Sequence, residues 1–144
     1  MYYPDKKVYH REINGYWICP TTVTEDEWDH ILKGVSENVK TMLWCFLQMP
    51  GYRGDEYTIG ARFGLKYQSL NGSIVSLGMR ARKLTGITIY GTGELEGQTK
   101  VWPHVMDKGR MENGLFVFEL RPELARAAKK YLHNCGFVGP LSRY

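Results

Sequence analysis

The sequence predicts an α+β fold, and three observations predict it. Between Thr24 and Leu84 the apolar residues recur every three or four positions, the period of helices that bury one face. After Gly86 the pattern changes to short β-branched and aromatic runs punctuated by Gly and Asn, which suit strands and tight turns. A last helical stripe opens at Pro122, a residue favoured in a first helical turn because its missing N–H would be unpaired there anyway.

Residues 1–22 read as a β-rich extension. Val8–Tyr9 and Tyr16–Cys19 are expected as short strands joined by a turn at Asn14-Gly15. A first helix is expected from Thr24. Thr24 and Glu27 have capping-box spacing, and Glu25 and Asp26 suit the positive end of the helix dipole. Trp28, Ile31 and Leu32 form its apolar stripe, and Gly34 stops it. A second helix starts near Ser36, places Val39, Met42, Leu43, Phe46 and Leu47 on one face, and ends at Pro50-Gly51. A third spans Glu56 to Phe63, with Ile59 and Phe63 buried and Gly64 as a left-handed cap. The tight turn Leu65-Lys66-Tyr67 leads into a fourth helix from Gln68 to Leu84, whose buried face is Leu70, Ile74, Leu77, Ala81 and Leu84.

Ile87–Tyr90 is then expected as a strand, and Lys100–Met106 with Leu115–Leu120 as a strand pair. Asp107 to Gly114 reads as a mobile hairpin tip. Pro122–His133 is the last helix, with Leu124, Ala127, Ala128, Tyr131 and Leu132 toward the core. This order predicts a winged helix-turn-helix over residues 23–144, with an extra C-terminal helix and a short N-terminal β segment.

The chain has 144 residues, which suits one domain with its own core, and its 13% aromatic content argues against disorder. The net charge is +4, and it is concentrated. Between Arg53 and Lys83 six basic residues meet two acidic ones, so the rest of the chain is neutral. The three cysteines, Cys19, Cys45 and Cys135, form no disulfide framework, and a reducing, cytoplasmic setting is expected. No apolar run approaches a membrane span, and the N-terminus lacks the apolar stretch of a signal peptide.

Two helices joined by a tight turn suit one task in particular. The second enters the major groove of duplex DNA while the first braces it on the backbone. The leading face of the fourth helix offers Lys66, Tyr67, Gln68, Ser69, Asn71, Gly72, Ser73 and Ser76. Gln and Asn make bidentate bonds to adenine, and Ser bonds any base edge. Gly72 lets a backbone come close, or only permits packing, as does Gly78. Arg80, Arg82 and Lys83 are expected at phosphates, which position a protein without reading sequence. Lys100, Lys108 and Arg110 are the candidate wing contacts.

A resemblance extends this reading. Met49-Pro50-Gly51-Tyr52, the run Tyr57-Thr58-Ile59-Gly60-Ala61-Arg62-Phe63-Gly64, Asn71-Gly72, Leu77-Gly78 and Phe118-Glu119-Leu120-Arg121-Pro122-Glu123-Leu124 carry it. Over Leu43 to Leu132 the chain resembles a winged-helix-like module found at the N-terminal side of some HNH-type restriction endonucleases. The resemblance implies DNA binding, with modified bases among the candidate targets, and a role in restriction or defence. It does not carry cleavage over, because the metal-binding His pair and the zinc-type cysteine pairs of the nuclease part do not occur in this sequence. A nuclease beyond Tyr144 and a stand-alone binding module are both compatible with the reading.

Other chemistry is poorly supported. His10, His30, His104 and His133 are scattered, without metal-site spacing, and no cofactor is expected. Cys45 lies beside the stripe of the second helix, where a buried structural thiol is the common case. Tyr90-Gly91-Thr92-Gly93 lacks the following Gly-Lys-Ser/Thr of a phosphate loop and reads as a turn. The rival to a DNA-binding module is a protein-interaction or inhibitor module on the same fold, which the modest net charge and the aromatic N-terminus favour. An enzyme would need converging polar groups that the sequence does not display.

Overall fold

A computed structural model describes residues 6–9, 11–19, 23–92 and 96–139. The fold is α+β, with helices packed beside two sheets. The elements in order are β1 (Lys6–Tyr9), β2 (Arg11–Ile13), β3 (Tyr16–Ile18), α1 (Glu25–Ile31), α2 (Glu37–Gln48), β4 (Arg53–Asp55), α3 (Glu56–Phe63), α4 (Tyr67–Thr85), β5 (Ile87–Tyr90), β6 (Thr99–Lys100), α5 (Trp102–Val105), β7 (Met106–Glu112), β8 (Leu115–Leu120) and α6 (Pro122–Asn134). A 3-10 turn, Pro50–Tyr52, links α2 to β4.

The helices form where their ends are satisfied. Thr24 and Glu27 make the full capping box of α1, and Ser36 caps α2 by accepting from the Val39 N–H. Their apolar stripes meet in one core, where Trp28, Ile31, Leu32, Met42, Leu43, Phe46, Ile59 and Ile74 are fully buried. Fully burying a large apolar side chain of this kind is worth about 1.5–3 kcal/mol, which far exceeds the few tenths that helix propensity supplies. The outer edge of α1 is tied to α6 by ion pairs of Arg126 with Glu25 and of Lys130 with Glu25 and Asp29. These are exposed and contribute little.

The larger sheet is antiparallel, in the order β2-β3-β7-β8-β4. In the smaller sheet, ordered β1-β5-β6, β1 lies parallel to β5. Three expectations change here. Val8–Tyr9 does not pair with Tyr16–Cys19; it belongs to β1, beside β5, and the Asn14-Gly15 turn joins β2 to β3 instead. Lys100–Met106 is not a strand, because Pro103 lies in the first turn of α5 and lacks the N–H that a ladder requires. Asp107 to Gly114 is not a mobile tip, since β7 runs to Glu112 and the turn is only Asn113-Gly114, both with positive φ.

The run Leu120-Arg121-Pro122 is architectural. Arg121 is 1% exposed, and its guanidinium donates to the carbonyls of Pro103 and Cys19. Asp107 lies at 3.5 Å on the same group. One side chain thereby joins the start of α5, the end of the N-terminal hairpin and the start of α6.

Candidate nucleic-acid interface

The pair α3–α4 is set by its turn. Asp55 caps α3, its carboxylate accepting from the Thr58 N–H at 2.8 Å. Gly64 closes the helix with φ 70°, and the Leu65 N–H returns to the Gly60 carbonyl at 2.8 Å. A Cβ on Gly60 would stand 2.6 Å from the Leu65 carbonyl oxygen, so the chain can double back this tightly only over a glycine. Tyr57 and Tyr67 stack across the two helix starts, with ring centroids 4.2 Å apart. Their hydroxyl contact holds the Tyr57 phenol above its usual range.

Helix α4 turns Leu70, Ser73, Ile74, Leu77, Gly78, Ala81 and Thr85 inward. Gln68, Asn71, Gly72, Ser76, Met79 and Lys83 remain on the exposed side. Among the described residues no side chain caps its N-terminus, and no acidic residue lies in its first turn, so the helix leaves the positive end of its dipole uncapped beside the exposed Lys66. Ser69, Gly72 and Ser76 of α4 and Ser36 and Asn38 at the start of α2 line a shallow polar groove of about 240 Å³.

The expected contacts divide on this surface. Lys66, Tyr67, Gln68, Ser69, Asn71, Gly72 and Ser76 are exposed along the leading half of α4. Ser73 is not, because it is buried and its hydroxyl donates back to the Ser69 carbonyl at 2.9 Å. Arg80 is withdrawn from the phosphate set. Its Nε and Nη2 donate to the Ile31 and Lys33 carbonyls, both at 2.6 Å, and so cover the end of α1. Arg82 is partly exposed and Lys83 exposed, and among the described residues neither has an ion-pair partner. Lys100 is in β6 of the smaller sheet, away from the β7–β8 hairpin. Lys108 and Arg110 lie on that hairpin, but within strand β7 rather than at the turn.

Tyr16 belongs to the aromatic N-terminus that favours a protein interface in the sequence, and no local pattern there marks Arg11. Tyr16 lies beneath Arg110 and Lys108, at 4.9 Å and 5.7 Å from its ring centroid. The available signal was the Asn14-Gly15 turn, which places a hairpin there without saying which strand it joins.

Buried titratable groups lie elsewhere. Burial, aided by the charges of Arg121 and Arg82, lowers His104 to about 4, and among the described residues its Nε2 has no hydrogen-bond partner. Burial, with the nearby Asp55, raises Glu56 to about 7. Burial raises the Cys19 thiol to about 11, and Cys45 is fully buried, so neither is an activated nucleophile. Among the described residues no group of three His, Cys, Asp or Glu could hold a metal, and no helix is long and apolar enough to cross a membrane. No protein-family model, curated protein or solved structure matches this chain.

Proposed function

We propose that this chain is a winged helix-turn-helix module that binds duplex DNA and is not catalytic by itself. The observation that carries the reading is the connectivity α2–β4–α3–α4–β7–β8, with β4 paired to β8 and β8 to β7. A helix, a short strand, a helix-turn-helix and a hairpin that pairs back to the short strand are the parts of that fold. The strands β5 and β6, which belong to the smaller sheet, and helix α5 are then an insertion before the hairpin, and α6 is the additional C-terminal helix.

On this reading α4 is the recognition helix. Gln68 and Asn71 read base edges from its leading turns, Ser69 and Ser76 supply adaptable hydrogen bonds, and Gly72 allows a close approach. Lys66, Arg82 and Lys83 contact phosphates, and Tyr67 stands at the entry of the helix. Whether the target is chosen by sequence or by a modified base is a matter for the same assay. A fluorescence anisotropy titration of labelled duplexes, plain and modified, tests the proposal. Binding that weakens with salt supports it, and no binding to any duplex at low salt contradicts it.

One observation favours a second reading. Met79, on the exposed face of α4, is 48% exposed, and an apolar side chain there suits a protein partner better than a phosphate. A protein-interaction module would show an α4 whose Met79→Ser variant loses the partner while duplex binding is absent throughout.

A further inference from the structure

We infer that the N-terminal hairpin β2–β3 is a second wing, and that Arg11, Lys108 and Arg110 on the joint sheet face form a phosphate-binding surface for duplex DNA. The inference rests on the DNA-binding reading and extends it from the wing candidates Lys108 and Arg110 to a second hairpin, with Arg11 and Tyr16.

The register comes first. Trp17 lies opposite Gly109 and Ile18 opposite Lys108 in antiparallel pairing. Moving back along β3 toward its turn therefore moves forward along β7 toward its turn. The two turns, Asn14-Gly15 and Asn113-Gly114, stand at the same end of the sheet. They match in form, with φ of 53° and 80° in one and 51° and 80° in the other. A Cβ on Gly15 would lie 3.8 Å from Arg110 Nε, which places the first turn beside the β7 cations. The hairpin β7–β8 is thus one half of a four-stranded double wing.

The alternation of strand faces comes second. Gly109 points into the sheet's packed face, against the rings of Phe116 and Trp102. Lys108 and Arg110 therefore share the opposite face and are exposed. Arg11, paired with Ile18, joins the same row as Lys108 and is also exposed. Among the described residues none of these three has an acid within ion-pair distance. Of the acids on this face, Glu112 is taken by Arg53, Asp55 is buried and caps α3, and Glu119 stands opposite Lys108 without pairing to it.

The ring of Tyr16 is the third part. Two cations against one aromatic ring are attracted by its quadrupole, worth roughly 0.5–1 kcal/mol each at exposed sites, without being neutralised. A carboxylate in the place of Tyr16 would hold them equally well and cancel their charge. The ring orders the cations and leaves them available to an anion, so Tyr16 is a positioning residue. The backbone of duplex DNA is the partner that meets a group of exposed cations on a hairpin that make no ion pair among the described residues.

The test is the salt dependence of duplex binding by anisotropy between 50 and 200 mM NaCl. It compares the full chain with the triple variant Arg11→Gln, Lys108→Gln, Arg110→Gln and with Arg82→Gln, Lys83→Gln. Each lost phosphate contact lowers the slope of log affinity against log salt by about 0.9, so the triple variant should lose about 2.7. Over that fourfold salt range the full chain should then weaken about forty-fold more than the triple variant. Glu119→Gln, which removes the nearby negative charge, should strengthen binding several-fold, and circular dichroism should show all variants folded. If the Arg82, Lys83 variant changes the slope and the triple variant does not, the second wing is refuted and the recognition helix stands. If the full chain binds no duplex, both fall. Binding of the same face to an acidic protein, with duplex binding unchanged by the triple variant, also overturns the inference.

Discussion

Gly72 and Gly78 lie on one helix, six residues apart, and the structure assigns them opposite tasks. A Cβ on Gly72 would meet nothing within 4 Å, and its backbone is not in the left-handed region. Alanine there should gain the helix-propensity difference, about 0.8–1 kcal/mol, with no steric cost. For a chain of this size that raises Tm by roughly 3 °C. A Cβ on Gly78 would overlap the Val101 carbonyl oxygen, so Gly78→Ala must displace the segment before α5 and should cost about 1–3 kcal/mol. The stability difference between the two variants is thus about 2–4 kcal/mol, readily measured by urea denaturation. Gly72→Ala carries a second expectation. A glycine that weakens an exposed helix position without a packing reason is accounted for if a ligand's backbone comes close there. The added methyl should then weaken duplex binding by about 1–3 kcal/mol, roughly five- to 150-fold. A stabilised Gly72→Ala variant with unchanged duplex affinity would refute the recognition role of this turn of α4. A destabilised one would refute the open site itself.

Three further outcomes follow from named contacts. Arg121→Met should destabilise the fold by about 3–5 kcal/mol, because it leaves the buried carbonyls of Pro103 and Cys19 unpaired, and urea midpoints will show whether it does. Arg80→Met should lower stability through the exposed end of α1 yet leave the salt slope of duplex binding unaltered, unlike Lys83→Gln, which should reduce it by about one. His104 stays neutral in the folded chain down to about 4, whereas an unfolded histidine takes up a proton near 6.5. Its contribution is therefore present above 6.5 and lost as pH falls from there toward 4, by at most roughly 3 kcal/mol. Glu56, raised to about 7, acts in the opposite sense, costing stability as pH rises from 4.5 to 7. Between pH 7 and pH 5 the urea midpoint of His104→Leu should shift toward greater stability relative to that of the parent chain, and an identical pH response of the two would contradict the assignment.

The parts legible in the sequence are those with strong local chemistry. The Thr24–Glu27 box, the α2 stripe and the Gly64 cap each rest on residues close in the chain, and those elements lie within a residue or so of expectation. The strands were harder. β2 and β4 are three residues each, too short for alternation to register. In β7 the outward positions are charged and an inward one is Gly109, whose side-chain space is filled by Phe116 and Trp102, so the segment reads as a polar loop. The candidate site shows the same division. Gln68, Asn71 and Ser76 follow from helix periodicity, and they are exposed. Arg80 differs from Arg82 only through the carbonyls of a helix end that lies 47 and 49 residues away in the chain. The partnership of Tyr16 with Arg110 likewise depends on which strand the first hairpin joins, and no local pattern encodes that.

The most direct test of the account is the salt dependence of duplex binding by the full chain. With Lys66, Arg82, Lys83 and the three cations of the double wing at phosphates, log affinity should fall against log salt with a slope of about −5. A slope near zero, or no duplex binding at 50 mM salt, would contradict it.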